Sequence, residues 1–252
     1  MACPTATESV FPMRSRLDRL LVERGLAESR EKAQALIMAG AVTVDGQKAA
    51  KPGQPVDPAS AIELLARPPY VSRGGLKLAA ALDRFAIPVE GRICLDIGAS
   101  TGGFTDALLQ RGAVRVHAVD VGSGQLAWSL RTDPRVVVHE HVNARQLRLD
   151  TLGEKADFLC CDVSFISVTL ILPAAVPVLR AQGQMVILIK PQFEVGRGQV
   201  GKGGIVRDPD LHQAACRRVE SAVRQFGFET SIMPSPILGA EGNKEFLLHA
   251  RH

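Results

Sequence analysis

The stretch Ile93-Cys94-Leu95-Asp96-Ile97-Gly98-Ala99-Ser100-Thr101-Gly102-Gly103-Phe104 constrains the fold of this chain more than any other. An apolar run suited to a buried strand enters a turn of small residues. A helical pattern starts at once with Thr105-Asp106-Ala107-Leu108-Leu109. That succession is the unit of an open α/β sheet. Glycines at 98, 102 and 103 are expected to let the backbone approach a ligand, because a Cβ there would block it. Asp96 closes the strand, where a carboxylate can accept from a ligand donor, and Ala99, Ser100, Thr101 and Phe104 complete the candidate loop. The alternative is a tight turn with no ligand. The next strand, Val114-Arg115-Val116-His117-Ala118-Val119, ends at Asp120, beside Val121. An acid about 20 positions after such a turn is placed to bind ribose hydroxyls, and its charge repels a 2′-phosphate.

The spacing Asp96-x-Gly98-x-Ser100-x-Gly102 resembles the first loop of S-adenosylmethionine-dependent methyltransferases. A dinucleotide fingerprint would have glycine where Ser100 stands. The 252 residues, 46% hydrophobic, suffice for one large α/β domain and a smaller one. No apolar run is long enough to span a bilayer. Residues 1–13 lack the charged start and apolar core of a signal peptide and are expected to form a disordered tail. Five cysteines, an odd number without a Cys-x-x-Cys pair, argue against disulfide or metal roles and point to a reducing cytoplasm. Net charge is uneven: residues 14–77 hold 11 Lys/Arg against 7 Asp/Glu, the whole of the chain's +4. Positive charge gathered in a small N-terminal segment suggests a polyanion partner, with a solvated helix face as the alternative.

Leucines at 17, 20 and 21 have helical spacing, with Gly25 as a stop; Ser29 caps a second helix from Arg30 to Met38. Ala41-Val42-Thr43-Val44-Asp45-Gly46-Gln47-Lys48 reads as a hairpin turned at Asp-Gly, and a further strand covers Ile62 to Leu65. This α+β segment resembles the αL RNA-binding fold named after ribosomal small-subunit protein four, on Arg16-Leu17-Asp18, Ser29-Arg30 and Ala41 to Gly46. The resemblance implies phosphate contacts from Arg16, Arg19, Arg30 and Lys32, which fix position without reading sequence. A small dimerisation module is the alternative. The domains expected are an RNA-binding domain over 14–66, a stiff linker over 67–75 containing Pro68-Pro69, and a large domain over 76–252.

In the large domain a helix is expected to present Leu76, Ala79, Ala80 and Phe85 inward, with Lys77 in its first turn. After Asp120 a short helix holds Gln125, Leu126 and Trp128, and Val136 to Val138 form a third strand. Asn143, followed by Ala144, is placed either to bind adenine or to cap the turn. A fourth strand runs from Asp157 to Asp162, a helix is expected over Leu170 to Leu179, and a buried strand over Met185 to Ile189 ends at Lys190. A lysine closing such a run is costly to bury unless paired, and Asp162 is the expected partner. Residues 194–207 are glycine-rich and basic, with Arg197, Lys202 and Arg207 as candidate grips on substrate phosphates. Asp208 to Phe226 is an amphipathic helix; Glu229–Pro234 and Glu245–Arg251 are the last strands.

Taken together, the chain resembles the TlyA family of ribosomal RNA 2′-O-methyltransferases, formerly called hemolysin A, whose larger domain is of the FtsJ type. The resemblance rests on Tyr70 to Lys77 (with Arg73 as a further RNA contact), Asp96 to Asp106, Cys161 to Ser167, Leu188 to Glu194 and Gly242 to Phe246. It implies a Rossmann-like, seven-stranded fold, S-adenosyl-L-methionine as cofactor, cytidine ribose in ribosomal RNA or ribosomal subunits as substrate, and a Lys-Asp-Lys-Glu tetrad that falls on Lys77, Asp162, Lys190 and Glu245. The residue types suit the chemistry. A ribose hydroxyl is a poor nucleophile that must be held in line with the sulfonium methyl and lose its proton. A buried lysine beside a second cation can serve as base near neutrality. Lys190 is the candidate base, with Lys77 as the neighbouring charge, Asp162 orienting Lys190, and Glu245 holding the lysines in register. The competing readings are an RNA-binding protein with an inert methyltransferase fold, a hemolysin, and a methyltransferase of small molecules.

Overall fold

The computed structural model describes residues 14–38, 40–65, 68–239 and 242–252. The chain divides into two compact units at Arg67/Pro68. The expected tail over 1–13, Ala66 at the end of the expected RNA-binding domain and Arg67 of the expected linker lie outside the described residues. In the first unit, β1 (Ser15–Arg16) leads into α1 (Leu17–Glu23), then α2 (Arg30–Met38), β2 (Val42–Val44), β3 (Gln47–Lys48), β4 (Pro55–Val56) and β5 (Ile62–Leu64). Asp45 and Gly46 both take positive φ, 50° and 78°, as the Asp-Gly hairpin between β2 and β3 requires. Leu17, Leu20 and Leu21 of α1 are buried against Ala33 and Ile37 of α2 and Val42 of β2. Helical leucine spacing thus supplies the core of this small unit.

The second unit contains α3 (Gly74–Arg84), β6 (Ile93–Ile97), α4 (Gly103–Gln110), β7 (Arg115–Val119), α5 (Trp128–Arg131), β8 (Val136–His139) and α6 (Leu149–Leu152). It continues with β9 (Ala156–Cys161), α7 (Leu172–Ala175), β10 (Leu179–Ile189), α8 (Pro191–Glu194), α9 (Pro209–Arg224), β11 (Glu229–Pro234) and β12 (Phe246–Arg251). Seven strands form one sheet in the order β11-β12-β10-β9-β6-β7-β8. β8, β7, β6, β9 and β10 are parallel, and β12 runs antiparallel between β10 and β11. Parallel strands covered on both faces read as continuous apolar runs. Leu95, Ile97, Leu159 and Cys161 accordingly face one core with Val219 of α9, while Cys94, Phe158 and Cys160 face another with α3 and α4. The chain leaves β6 towards β7 and β8 and returns on the other side at β9. The carboxyl ends of β6 and β9 therefore meet at the switch point where such sheets bind ligands. Among the described residues, no helix is long and apolar enough to cross a membrane.

Several elements differ from the sequence expectation. Residues 70–75 are part of the second unit rather than linker. The Val71 N–H donates to Asp106 (2.8 Å), Gln110 donates to the Pro69 carbonyl (2.8 Å), and α3 already starts at Gly74. Leu76 is exposed; α3 buries Ala79 as expected and, beside it, Lys77, Leu78, Ala81 and Leu82. Gln125 and Leu126 precede α5. No continuous helix spans 170–179: 3-10 turns at Val168–Leu170 and Val176–Val178 flank the single turn of α7, and β10 starts at Leu179. Pro173 and Pro177 remove the N–H groups a longer helix needs and crowd the preceding turn.

Asp96 departs most from expectation. It is fully buried, accepting from the Thr105 hydroxyl (2.7 Å) and the Cys160 thiol (3.7 Å), so it ties α4 and β9 to β6 instead of reaching a ligand. Burial pushes its carboxyl up to about 7 from the ordinary 3.8. A carboxyl whose folded-state pKa exceeds its unfolded value stabilises the fold below the lower value, and the contribution is lost as pH rises through the upper one. Urea midpoints at pH 5 and pH 8 test this: wild type should lose stability between them, and Asp96→Asn should lose less.

Candidate active site

The loop after β6 is pressed against the loop after β9. The Asp162 N–H donates to the Ile97 carbonyl (2.9 Å), and a Cβ on Gly98 would lie 2.2 Å from the Asp162 carbonyl oxygen. Gly98 also has φ 85°, so two constraints select glycine there. The other two glycines serve packing more than ligand approach. A Cβ on Gly102 would meet Leu130 at 2.3 Å, and one on Gly103 would meet Ser72 Oγ at 2.2 Å and the Gly75 nitrogen at 2.8 Å, where α3 crosses α4. Asp120 is pinned through both oxygens, accepting from the Ser100 N–H (2.8 Å) and the Gly122 N–H (2.7 Å).

These contacts frame a cavity of about 430 Å³ bordered by Gly98, Ser100, Asp120, Val121, Asn143 and Ala144, with Asp162 also in its wall. That volume lies within the range of small-molecule sites. Asn143 caps the turn that follows, accepting from the Arg145 N–H (3.1 Å), and it also lines the cavity. Ala99, Thr101, Gly103 and Phe104 line a smaller chamber of about 200 Å³ that also holds Lys77, Asp162 and Lys190. Neither Asp96 nor Gly102 lines these spaces.

Lys190 ends β10 and is the N-cap of α8. Its Nζ lies 2.6 Å from Asp162 Oδ1 and donates to Ser164 Oγ at 2.8 Å. Lys77, on the buried face of α3, pairs with Glu245 at 2.5 Å, where both side chains are almost wholly buried. Gly239 makes room for that carboxylate, since a Cβ there would sit 2.0 Å from Glu245 Oε1. The four residues thus form two ion pairs, and Glu245 contacts Lys77 rather than both lysines. Lys77, Lys190 and Glu245, with Ser164 and Asn243, line a further cavity of about 380 Å³. Phe165 stands at its mouth, 92% exposed with φ 66°, 5.3 Å from the ring of Phe193. A bulky residue rarely takes a positive φ, so the surrounding loop must hold it there.

Ser164 and Phe165 were not singled out as site residues. They lie inside the Cys161-to-Ser167 motif, but a serine or phenylalanine in a loop carries no sequence signal of a positive φ or of a lysine partner. The candidate RNA contacts are dispersed. Arg16 and Arg30 converge on Asp18, Arg19 pairs with Glu23 at 2.7 Å, and Lys32 pairs with Glu28. In the second unit, Arg73 donates to the Leu238 carbonyl (2.5 Å), and Lys202 and Arg207 are exposed. Arg197 is described for its backbone alone, in the 3-10 turn Arg197–Gln199.

The FtsJ-like methyltransferase family model matches residues 70–252, and the S4 domain model matches residues 15–62. A 16S/23S rRNA (cytidine-2′-O)-methyltransferase of Mycobacterium tuberculosis is 49% identical over 241 residues, 94% of this chain and 90% of that protein. Hemolysin A of Brachyspira hyodysenteriae is 45% identical over 236 residues, 93% of this chain and 98% of its own. A solved structure from Streptococcus thermophilus, described as a candidate hemolysin, is 45% identical with a TM-score of 0.72, covering 96% of this chain and 89% of that one.

The Gly98 contact gives a stability test. Gly98→Ala forces a Cβ against backbone and strains a positive φ, which should cost about 2–4 kcal/mol in urea unfolding.

Proposed function

Because the chain belongs to the FtsJ-like methyltransferase family, with an S4 domain ahead of the methyltransferase domain, we propose that it methylates the ribose 2′-hydroxyl of cytidine in ribosomal RNA, using S-adenosylmethionine. The observation that carries this reading is the double role of Asp162. It lines the cofactor-sized cavity and, 2.6 Å away, holds Lys190 in the adjoining chamber. A donor held on one side of Asp162 and a ribose on the other would have their reacting atoms at the shared wall.

The residues fit the cofactor. Asp120, fixed through two backbone N–H groups, offers its remaining lone pairs to ribose hydroxyls, and Asn143 stands where an adenine edge would be read. When bound, S-adenosylmethionine supplies an electrophilic methyl on a sulfonium. The chain's own residues do the rest. With the cofactor bound, Lys190 would have to be in its free-amine form to take the proton of the 2′-hydroxyl. Asp162 and Ser164 aim Lys190 at that proton, and Lys77, neutralised by Glu245, lines the opposite side of the chamber. Phe165 and Phe193 offer apolar faces to a base carried in with the ribose. Arg197, Lys202 and Arg207 on the glycine-rich loop, Arg73, and Arg16, Arg19, Arg30 and Lys32 of the S4 domain are assigned to RNA phosphates.

Transfer of labelled methyl from S-adenosylmethionine to ribosomal subunits and free ribosomal RNA tests the proposal, with alkaline hydrolysis of the product, since a 2′-O-methyl group blocks cleavage at that nucleotide. Wild type should label RNA. Lys190→Ala should lose about 10²–10⁴-fold in kcat while retaining cofactor affinity. Equal labelling by both proteins would remove Lys190 from the chemistry. Cofactor binding without labelling by wild type would leave an inert methyltransferase fold.

A further inference from the structure

Asp18 is a buried acid held between two arginines. It lies in the first turn of α1, fully buried, and its carboxylate accepts from four N–H groups. Arg16 donates through Nε to Oδ1 (3.1 Å) and through Nη2 to Oδ2 (2.8 Å). Arg30 donates through Nη2 to Oδ2 (3.2 Å), and Gln34 through Nε2 to Oδ2 (3.0 Å). The Arg16 guanidinium beside it holds its carboxyl well below the usual range, so the charge persists at any physiological pH. Both arginine side chains remain more than half exposed, 54% and 56%, and each guanidinium keeps most of its five donors.

Arg16 is confined on a second side. Its guanidinium lies over the turn at Gly53, where an added Cβ would come within 2.9 Å of Nη1 and 3.1 Å of Cζ and Nη2. A flexible arginine loses side-chain entropy when it grips a phosphate. Here that cost is met within the fold, because two planar forks are already locked on one buried acid with free edges turned outward.

We infer that Asp18 is a positioning residue for RNA binding: it holds the Arg16 and Arg30 guanidiniums at fixed separation, ready for a backbone phosphate. This rests on the proposed role of the S4 domain and adds a claim about which residue organises it. Charge alone predicts the opposite effect of removing Asp18. Neutralising an acid raises the positive charge of the face and should tighten a polyanion. Loss of positioning should weaken it, because the arginines would have to be ordered anew and an amide NH₂ would face a guanidinium.

The experiment measures the Kd of the full chain for ribosomal RNA at fixed salt, with S-adenosylmethionine affinity and the melting temperature recorded alongside. Asp18→Asn should bind RNA about tenfold more weakly despite its added positive charge. Gly53→Ala alters no charge and leaves Asp18 in place. Its methyl pushes only the far end of a flexible side chain, so the fold should persist while RNA binding weakens about fivefold. Gly53→Ala binding as tightly as wild type overturns the inference, including where Asp18→Asn fails to fold. So does a folded Asp18→Asn that binds as tightly or more tightly. Wild type that does not bind RNA at all would overturn the RNA-binding reading itself, a distinct result.

Discussion

The loops after β6 and β9 can touch only because position 98 has no side chain. Through that contact Asp162 is brought to the wall of the cofactor-sized cavity, and Lys190, one strand further along the sheet, is brought to Asp162. The strand order makes the meeting available, since β6 and β9 are neighbours across the switch point. Van der Waals exclusion at one Cα decides whether it happens. A methyl at Gly98 would separate the two loops, and the cavities would no longer share a boundary.

The two lysine–carboxylate pairs are a poor way to stabilise a fold. Removing an ion from water costs several kcal/mol even after relaxation, and a good pair roughly recovers it. An apolar pair of similar volume would serve the core at least as well. Lys77 and Glu245 are nonetheless almost wholly buried, between a helix of the first half of the domain and the turn before the last strand. Both line a chamber, where fixed charges are little screened by solvent. Glu194 shows the same economy of placement. It is buried, its carboxyl pushed up by burial, and it accepts from the Ser167 hydroxyl (2.6 Å) and the Val168 N–H (2.8 Å), joining α8 to the loop that carries Asp162 and Ser164.

Much of this architecture is legible in the chain. The apolar runs at 93–97 and 185–189, the glycine turn and the acid at 120 each carry a local signal, and each lies where its pattern places it. The errors share a cause: they concern what a residue faces. Asp96 looks like a ligand acid but points into the sheet packing, and Gly102 accommodates neighbouring leucine side chains. Leu76, expected inward, is exposed because α3 docks with Lys77, Leu78 and Leu82 inward. No local pattern joins Lys77 to Glu245, which lie 168 positions apart, so that pairing was accessible through family resemblance and not through periodicity.

That separation also orders events during synthesis. Lys77 emerges 168 residues before its only ion-pair partner among the described residues. At about 5–20 residues per second, this leaves roughly ten to thirty seconds in which an unpaired ammonium sits on an otherwise apolar helix face. Sealing it into the interior without a counter-charge would be costly, so α3 cannot settle finally until β12 has threaded between β10 and β11. Closure of the chamber that Lys77 lines therefore waits on a residue 168 positions further along the chain.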